Sequence, residues 1–343
     1  MKKLQAPLWL ILLSIFLTAC DSADTEAETP SSEPVEVIAT EEISVDLDLP
    51  DGFLATALPY DFDRPTQFVV QNNLLWVAQL AGGENAELGE IVLINMSTGE
   101  KSIVIDGLDK PTGLAVINQT VWVAERDSIS KIDLISSIPS KEVILSNLPN
   151  NGRSNGTLTV LPSGEIMYET SGNRTDIDSG KLWALNPADG SVRVLASGLK
   201  GAYAHTITPN GQIWFTEVVD GSLQGVPYPD EINLLEEGAD YGWPECYGRE
   251  LAGTDCEGVK PALTTFDAGS TPTGIAFSPF GDESLFVARW VSGDVVQIDT
   301  NTGEFTSFVA NLGNPQHIIS LDDGSLMFSD YAAGEIYQVV KTE

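Results

Sequence analysis

The sequence predicts an all-β fold, a six-bladed β-propeller of four-stranded blades, from three observations. First, a short apolar run with a central aromatic residue or methionine recurs six times, at residues 75–78, 121–124, 166–169, 213–216, 285–288 and 326–329. Second, the second residues of these runs lie 46, 45, 47, 72 and 41 positions apart, so only one interval departs from a regular period. Third, no convincing amphipathic helix separates the runs. Four short strands in each repeat of about 40–50 residues are typical of propeller blades.

Similar turns flank each run. An inner strand begins at a proline-containing turn in four repeats, at Pro65, Pro111, Pro272 and Pro315. Glycine-containing turns then lead into the aromatic strand, as expected for hairpins, and a third and a fourth strand follow. We expect the segment 43–57 to complete the ring beside the last blade. The innermost strands of such a ring line a channel, and the active site usually lies at one mouth of it.

The N-terminus has the pattern of a lipoprotein signal peptide. Lys2 and Lys3 precede a short apolar core, and Leu-Thr-Ala-Cys at 17–20 places a cysteine after small residues. The apolar run is shorter than the roughly 20 residues that a membrane span needs. We therefore predict a signal peptide at 1–19, lipidation of Cys20, and a disordered acidic linker over 20–42. The propeller then occupies 43–343, with an insertion at 220–262 in blade four.

The charge of the chain restricts its partners. Lys and Arg number 17 against 50 Asp and Glu, which gives a formal net charge of −33 at pH 7. Such a surface repels nucleic-acid phosphates and anionic headgroups, so we expect no nucleic-acid partner and membrane contact through the lipid anchor only. A small-molecule partner should be neutral or cationic, although solubility in high salt explains the charge equally well. The predicted location is the cell envelope outside the cytoplasm, facing the periplasm or the surface.

Two cysteines remain beyond the predicted anchor. Cys246 and Cys256 form an even pair in an oxidising compartment, so we predict a disulfide between them. A metal pair is the alternative, but no nearby histidine or further cysteine completes a tetrahedral site.

The irregular 72-residue interval carries the most specific motif in the chain. Asp-Glu-Ile-Asn at 230–233 is followed by Tyr-Gly-Trp-Pro at 241–244 and by Cys-Tyr-Gly at 246–248. This segment resembles the glucose/sorbosone dehydrogenase family of pyrroloquinoline quinone (PQQ)-dependent sugar dehydrogenases. The likeness extends over most of the propeller. It implies a six-bladed propeller that oxidises a sugar or aldehyde by hydride transfer to PQQ, with calcium polarising the quinone and a histidine as general base.

The resemblance also assigns individual residues. Glu231 and Tyr241 match positions that help to hold a structural calcium in the family, and calcium prefers such oxygen ligands. Gly225 and Val226 match residues that offer backbone carbonyls to the cofactor's calcium. Lys200 matches an arginine that meets the carboxylates of the quinone. The resemblance therefore implies both PQQ and calcium as cofactors.

Several other positions depart from the family pattern. The base of the family lies just before the first strand of blade three, where residues 150–156 contain no histidine. Further cationic contacts to the cofactor fall on Val291, Asn314 and Gln316, none of which is basic. His205 and His317 are the only histidines in the chain. Either of them, or water, would have to replace the missing base.

The same polar residues support a second hypothesis. His205 and His317 occupy equivalent places on inner strands, and acidic residues end the aromatic strands at Glu125, Glu169, Glu217 and Asp330. A ring of these side chains around the channel would bind a divalent metal, as in gluconolactonase-like and streptogramin-lyase-like propellers. Alternatively, the side chains line a wet channel and bond one another or water.

The sequence therefore leaves two functions open. The first is an extracytoplasmic, lipid-anchored, PQQ-dependent sugar or aldehyde dehydrogenase-like protein that lacks the standard catalytic histidine. The second is a metal-dependent lactonase or lyase, or a binding propeller without catalysis. In either case Arg289 and Trp290, at the mouth of blade five, are candidates to stack on a sugar or ring ligand, or else form a packed loop.

Overall fold

The computed structural model describes residues 43–44, 47–82, 88–134, 139–150 and 155–342. The chain divides into two units, Met1–Ala39 and Thr40–Glu343, and all described residues belong to the second unit. The predicted signal peptide, Cys20 and the acidic linker therefore lie outside the described residues. Within those residues, no helix has the length and apolar character required to cross a lipid bilayer.

Three consecutive antiparallel sheets form the first half of the propeller. Blade one consists of β3 (Pro65–Gln71), β4 (Leu74–Gln79), β5 (Gly89–Asn95) and β6 (Lys101–Leu108). Blade two consists of β7 (Gly113–Ile117), β8 (Thr120–Ala124), β9 (Ile129–Asp133) and β10 (Ser140–Leu145). Blade three consists of β11 (Thr159–Val160), β12 (Ile166–Thr170), β13 (Lys181–Leu185) and β14 (Val192–Ala196).

Three more sheets complete the ring. Blade four consists of β15 (His205–Ile207), β16 (Ile213–Glu217), β19 (Asp230–Leu234) and β22 (Thr264–Phe266). Blade five consists of β23 (Pro272–Phe277), β24 (Ser284–Arg289), β25 (Asp294–Asp299) and β26 (Phe305–Val309). Blade six consists of β27 (Pro315–Ser320), β28 (Leu326–Asp330), β29 (Glu335–Lys341), β2 (Phe53–Ala57) and β1 (Ile43–Ser44). The predicted six-bladed propeller is confirmed.

The two ends of the propeller meet in blade six. Strand β2 pairs antiparallel with the last strand, β29, in the register Ala55 to Val339, and β1 pairs with β2. The ring is thus closed by hydrogen bonds between residues about 280 positions apart, a pairing that removes two open sheet edges. The segment that the sequence assigns to ring closure does close it.

Blade four carries the extra length in two places. The hairpin β17 (Ser222–Leu223) to β18 (Val226–Pro227) lies between the second and third strands of this blade. The hairpin β20 (Cys246–Tyr247) to β21 (Ala252–Gly253) lies between the third and fourth strands. The segment 220–262 therefore contains a blade strand, β19, and is not one continuous insertion. The predicted disulfide joins Cys246 to Cys256 beside the second hairpin.

The recurrent aromatic and methionine positions hold neighbouring blades together. Trp76 of blade one packs with Leu114 and Val121 of blade two, and Trp214 of blade four packs with Ile275 of blade five. All six positions are at most 4% exposed. Truncating such buried side chains costs about 2–5 kcal/mol in other proteins, so the repeat that predicts the fold is also the repeat that stabilises it.

Candidate functional site

A cavity of about 410 Å³ lies where the innermost strands begin, at one mouth of the propeller channel. All six blades contribute to its wall. The described lining residues are Thr66, Leu80, Lys110, Thr112, Glu169, Ser171, Lys200, Gly201, Tyr203, Val218, Asp220, Thr271, Thr273, Trp290, Val291, Gln316 and Tyr331. Its volume is within the range of small-molecule sites. We call it the axial cavity.

Three threonines in this wall also join neighbouring blades. The hydroxyl of Thr66 donates to the carbonyl of Pro111 at 2.7 Å, and that of Thr273 donates to the carbonyl of Pro315 at 3.2 Å. Thr112 donates in the same way to Asn155. Each bond runs from the beginning of one blade to the beginning of the next. The Pro-Thr turns of the sequence thus both hold the ring and place hydroxyl groups around its axis.

The carboxylates proposed to form a metal ring do not converge on the axis. Each carboxylate accepts a hydrogen bond from a backbone N–H in the loop that precedes its own blade. The N–H of Asp109 donates to Glu125 at 2.9 Å, and that of Gly156 donates to Glu169 at 3.2 Å. The N–H of Lys200 donates to Glu217 at 2.7 Å, and that of Gly313 donates to Asp330 at 2.6 Å. Among the described residues, no three His, Cys, Asp or Glu side chains are placed to hold a metal ion. The strand-end acids fix loops within blades, so the structure does not assemble the ring.

The two histidines lie outside the axial cavity. His205 and His317 line a second cavity, of about 640 Å³, further along the same inner strands. The Nε2–H of His205 donates to the carbonyl of Ala202 at 2.9 Å. His317 lies edge-on to Phe68, and neither of its ring nitrogens has a hydrogen-bond partner in the described structure. Both histidines therefore face the channel, as expected, but at a different depth from the axial cavity.

Burial keeps both histidines neutral. It lowers the pKa of His205 to about 4 and that of His317 to about 3, because a buried imidazolium loses its hydration. Backbone groups of Ala202 and Phe68 oppose this effect but do not outweigh it. Neither ring is placed to take a proton from a molecule in the axial cavity.

Two lysines supply the positive charge of the axial cavity. Lys200, which the resemblance assigns to cofactor binding, lines it and lies 3.1 Å from a carboxylate oxygen of Asp220. Its ammonium group is also 5.8 Å from the centre of the Trp243 ring. Lys110 is a second lining cation that sequence reasoning missed. Its position directly before the Pro-Thr turn of blade two was the available signal.

The remaining cofactor candidates lie elsewhere. Gly225 and Val226 belong to the β17–β18 hairpin and do not line the axial cavity, and Val226 is 55% exposed. Arg289 pairs with Asp294 at 2.5 Å, and its guanidinium lies over the rings of Phe266 and Phe305. Arg289 therefore ends strand β24 in packed surroundings, whereas its neighbour Trp290 reaches the cavity.

A group of buried polar side chains surrounds the calcium candidate Glu231. This residue is the direct cross-strand partner of Glu217, and one of its oxygens accepts the N–H of Gly248 at 2.5 Å. The amide of Asn233 lies 3.4 Å from Glu217 and 3.3 Å from Glu231, and its own oxygen has no partner among the described atoms. The hydroxyl of Tyr241 donates to the carbonyl of Leu234 at 2.6 Å. Two buried carboxyl groups, with the amide nitrogen of Asn233 beside both, thus meet beneath the second hairpin.

Solved propeller enzymes share this architecture. The calcium structure of a Trichoderma reesei enzyme of carbohydrate-active family AA12 has a TM-score of 0.69 at 15% identity, covering 88% of this chain and 98% of that one. The PQQ-bound aldose sugar dehydrogenase of Streptomyces coelicolor has a TM-score of 0.67 at 15% identity, with 85% and 99% covered. The apo-form of the soluble aldose sugar dehydrogenase of Escherichia coli has a TM-score of 0.65 at 16% identity, with 84% and 99% covered. At these low sequence identities, the structural similarity shows the fold alone.

Family assignment follows from the sequence match. No curated protein matches the chain. The glucose/sorbosone dehydrogenase model matches residues 137–316, more than half of the chain and including all of blades three to five. The protein therefore belongs to the glucose/sorbosone dehydrogenase family and is a sugar dehydrogenase-like propeller.

Proposed function

We propose that the axial cavity binds an uncharged sugar or sugar aldehyde outside the cytoplasm. The observation that carries this proposal is the composition of the cavity wall. Its hydroxyl-bearing side chains are Thr66, Thr112, Ser171, Tyr203, Thr271, Thr273 and Tyr331. Hydroxyl groups both donate and accept hydrogen bonds, which suits a polyhydroxylated ligand.

Aromatic rings complete the match to a sugar. Trp290 and Tyr331 both line the wall and meet edge to face, with their ring centres 6.0 Å apart. A tryptophan face offers a large apolar area to the C–H side of a sugar ring. The site thus combines an apolar face with surrounding hydroxyl groups, the usual pattern of small-molecule sites with a few placed polar groups.

The charges of the wall favour a neutral ligand. Lys110 and Lys200 share the wall with the carboxyl groups of Glu169 and Asp220, and Asp220 forms an ion pair with Lys200. The whole chain carries a formal net charge of −33. An anionic ligand entering this site would meet a repulsive field from the protein surface, whereas a neutral sugar would not.

The residues present do not fit PQQ together with the family chemistry. The quinone is a tricarboxylate. The two lysines that could bind its carboxylates, Lys110 and Lys200, share the cavity wall with the acids Glu169 and Asp220. The carbonyls that should hold its calcium belong to the β17–β18 hairpin, outside the cavity lining. Both histidines of the chain lie at the other cavity. We therefore derive no oxidation step through PQQ.

The family's dehydrogenase activity remains the second candidate function. Lys200 lines the axial cavity at the place where the resemblance puts a cofactor cation, and Lys110 adds another. Two ammonium groups in one small cavity are the feature that would favour a carboxylated quinone.

Calcium fits the group around Glu231. Glu217 and Glu231 are direct cross-strand partners, and their carboxylates supply the hard oxygen donors that calcium prefers. Burial of two acids without a paired cation is costly, so a divalent ion would offset an existing penalty. We propose that Glu217 and Glu231 hold a structural calcium, which would neutralise the two carboxylates. Tyr241 would support the site from the loop that follows β19.

We further propose that Cys20 anchors the protein outside the cytoplasm after cleavage of residues 1–19. Metabolic labelling with a palmitate analogue should mark the wild-type chain, and Cys20→Ser should abolish the label. A labelled Cys20→Ser chain would contradict the anchor.

Calorimetric titration tests the proposed function directly. The purified chain is titrated with D-glucose and L-sorbosone, and separately with PQQ plus calcium. Saturable sugar binding without quinone supports the proposal. Binding of PQQ below about 10 µM, roughly −7 kcal/mol, would instead establish the dehydrogenase site. No response to either sugar up to about 10 mM, which is weaker than roughly −3 kcal/mol, would count against the proposal.

A further inference from the structure

Asp230 begins the Asp-Glu-Ile-Asn motif at 230–233 but has no part in the proposed calcium site. It is the first residue of β19, and it is fully buried, with 0% of its surface exposed. Successive side chains of a strand point to opposite faces, so Asp230 points away from Glu231. A buried carboxyl group needs hydrogen-bond donors, and Asp230 finds them in two loops outside its own strand.

Each oxygen of Asp230 holds a different loop. Oδ1 accepts the N–H of Val219 at 2.7 Å, and Oδ2 accepts the N–H of Thr271 at 2.7 Å. Val219 follows β16 of blade four, and its neighbours Val218 and Asp220 line the axial cavity. Thr271 precedes β23 of blade five and lines the cavity itself. One buried side chain thus joins two parts of the cavity wall that belong to different blades.

Blade five depends on this bond because it lacks an anchor of its own. In four blades, the residue three positions after the recurrent aromatic or methionine accepts a backbone N–H from the loop before that blade: Gln79, Glu125, Glu217 and Asp330. Blade five has Arg289 at this position, and arginine offers no acceptor. Its guanidinium pairs with Asp294 instead. The loop before blade five is therefore held from blade four, by Asp230.

The loop that Asp230 holds has a conformation that needs such an anchor. Thr271 has a φ of 58°, in the left-handed region, although it is β-branched and precedes a proline. Lys110, before the Pro-Thr turn of blade two, has a φ of 50°, and there Glu125 holds the loop. Unfavourable backbone conformations persist only where the surrounding structure fixes them. In blade five, the bond to Asp230 contributes to that constraint.

Thr271 passes the constraint on to Trp290. The carbonyl of Thr271 accepts the N–H of Trp290 at 2.8 Å, and the carbonyl of Trp290 accepts the side-chain amide of Asn314 at 3.0 Å. Trp290 is the residue whose ring the proposed function places against the sugar. The other loop held by Asp230 carries Asp220. The position of the aromatic part of the wall relative to the charged part thus depends on Asp230.

We propose that Asp230 is a positioning residue of the axial cavity, which fixes the loop that carries Trp290 relative to the loop that carries Asp220. The inference rests on the proposed function, because it names the residue that sets the geometry of the sugar site. Asp230 is buried and acts through the two loops, not by touching the ligand. A binding site loses affinity when its supporting contacts are loosened, even if every lining residue is present.

The first test replaces the carboxyl group of Asp230 by an amide in the whole chain. Asp230→Asn keeps the shape of the side chain, but its NH₂ group is a donor, so only one of the two loops keeps its bond. Calorimetric titration with D-glucose and L-sorbosone should show binding about tenfold weaker, or more, than in wild type.

The matched control is Asp299→Asn. Asp299 also accepts two backbone N–H groups, from Asn301 at 2.9 Å and from Thr302 at 2.8 Å, in a turn that does not line the axial cavity. This variant should bind sugar like wild type.

A double-mutant cycle distinguishes positioning from a general loss of stability. If Asp230 acts through Trp290, then Asp230→Asn should weaken binding less than about threefold when Trp290→Ala is already present. A general loosening of the fold would give the same fold-change in both backgrounds. Equal fold-changes would therefore overturn the inference.

Hydrogen exchange of the wild type provides a readout that needs no variant. The amides of Val219 and Thr271 lie in loops, but their bonds to a buried carboxyl group should make them exchange as slowly as the amides of the neighbouring strands. Exchange of both amides at the rate of unprotected groups would overturn the inference, even if Asp230→Asn does not fold.

The outcomes separate this inference from the function on which it depends. If wild type binds neither sugar, the proposed function fails, and the role of Asp230 in sugar binding fails with it. If wild type binds a sugar and Asp230→Asn, shown to be folded by circular dichroism, binds it equally well, only the inference is overturned.

Discussion

Glu217 and Glu231 face each other directly across β16 and β19, and both carboxyl groups are buried. Burial raises the pKa of each, and the charge of Glu231 raises that of Glu217 further. The amide oxygen of Asn233 points to no donor beside them. Two ionised carboxyl groups in this position would repel each other, so a cation bound to both would stabilise the fold.

Calcium should therefore stabilise the protein, and a chelator should reverse the effect. Calcium at about 100 times its Kd should add about 2.7 kcal/mol to the free energy of unfolding, measured by urea denaturation. Glu231→Gln should remove most of this gain, whereas Glu237→Gln, an exposed acid in the following loop, should retain it. Identical unfolding curves with calcium and with chelator would rule out the site.

His317 should make the protein sensitive to acid. Its pKa is lowered to about 3 by burial, against 6.5 in the unfolded chain. The stability that this group contributes is therefore present above pH 6.5 and is lost as the pH falls toward 3. At pH 5 the loss should be about 2 kcal/mol.

The variant His317→Leu measures that contribution. Relative to its own stability at pH 7, it should lose about 2 kcal/mol less than wild type on acidification to pH 5. Gln67→Leu on the neighbouring inner strand changes a buried polar residue of the same cavity that does not titrate, and should keep the wild-type pH response. Parallel pH profiles for His317→Leu and wild type would contradict the pKa assignment.

The bond between Cys246 and Cys256 should stabilise the second hairpin of blade four. It closes a loop with a sequence separation of 10 residues, and loops of this size contribute roughly 2–3 kcal/mol in the chain-entropy model. Replacing both cysteines by serine should lower the free energy of unfolding by that amount.

The same double variant should also weaken calcium binding. The N–H of Gly248, two residues after Cys246, donates to Glu231 at 2.5 Å, so a looser hairpin disturbs this carboxylate. Calcium titration of the double serine variant measures the effect. An unchanged calcium affinity would show that the hairpin and the ion site are independent.

The pairing that closes the ring predicts that substitutions at two adjacent residues of β2 differ sharply in their effect on the free energy of unfolding. The ring of Phe53 packs edge-on against Phe280 and Phe308, each with a centre-to-centre distance of 5.0 Å. The next side chain, Leu54, is 42% exposed on the other face of the strand. Phe53→Ala should cost about 3 kcal/mol and Leu54→Ala less than about 0.5 kcal/mol, by urea denaturation. Equal effects would mean that β2 contributes through its backbone alone.

The sequence by itself determined the blades and their order. Period, strand alternation and hairpin turns are local properties of the sequence. The regular recurrence of Trp76, Trp122 and Trp214 shows the period without any knowledge of the tertiary structure. The count of cysteines, together with the expected oxidising compartment, paired Cys246 with Cys256. Ring closure by residues 43–57 follows because six blades leave one strand missing from the last sheet.

Only the tertiary structure decided which side chains share the axial cavity. His205 and His317 face the channel as their strand positions predict, but they lie at a different depth from Lys110, Lys200 and Glu169. Depth depends on where six independent strands begin relative to one another, and no local pattern encodes that offset. Similarly, the bond from Thr66 to the carbonyl of Pro111 joins two blades. Hydrogen bonding between blades is a non-local property, so the candidate site appears only when the ring is closed.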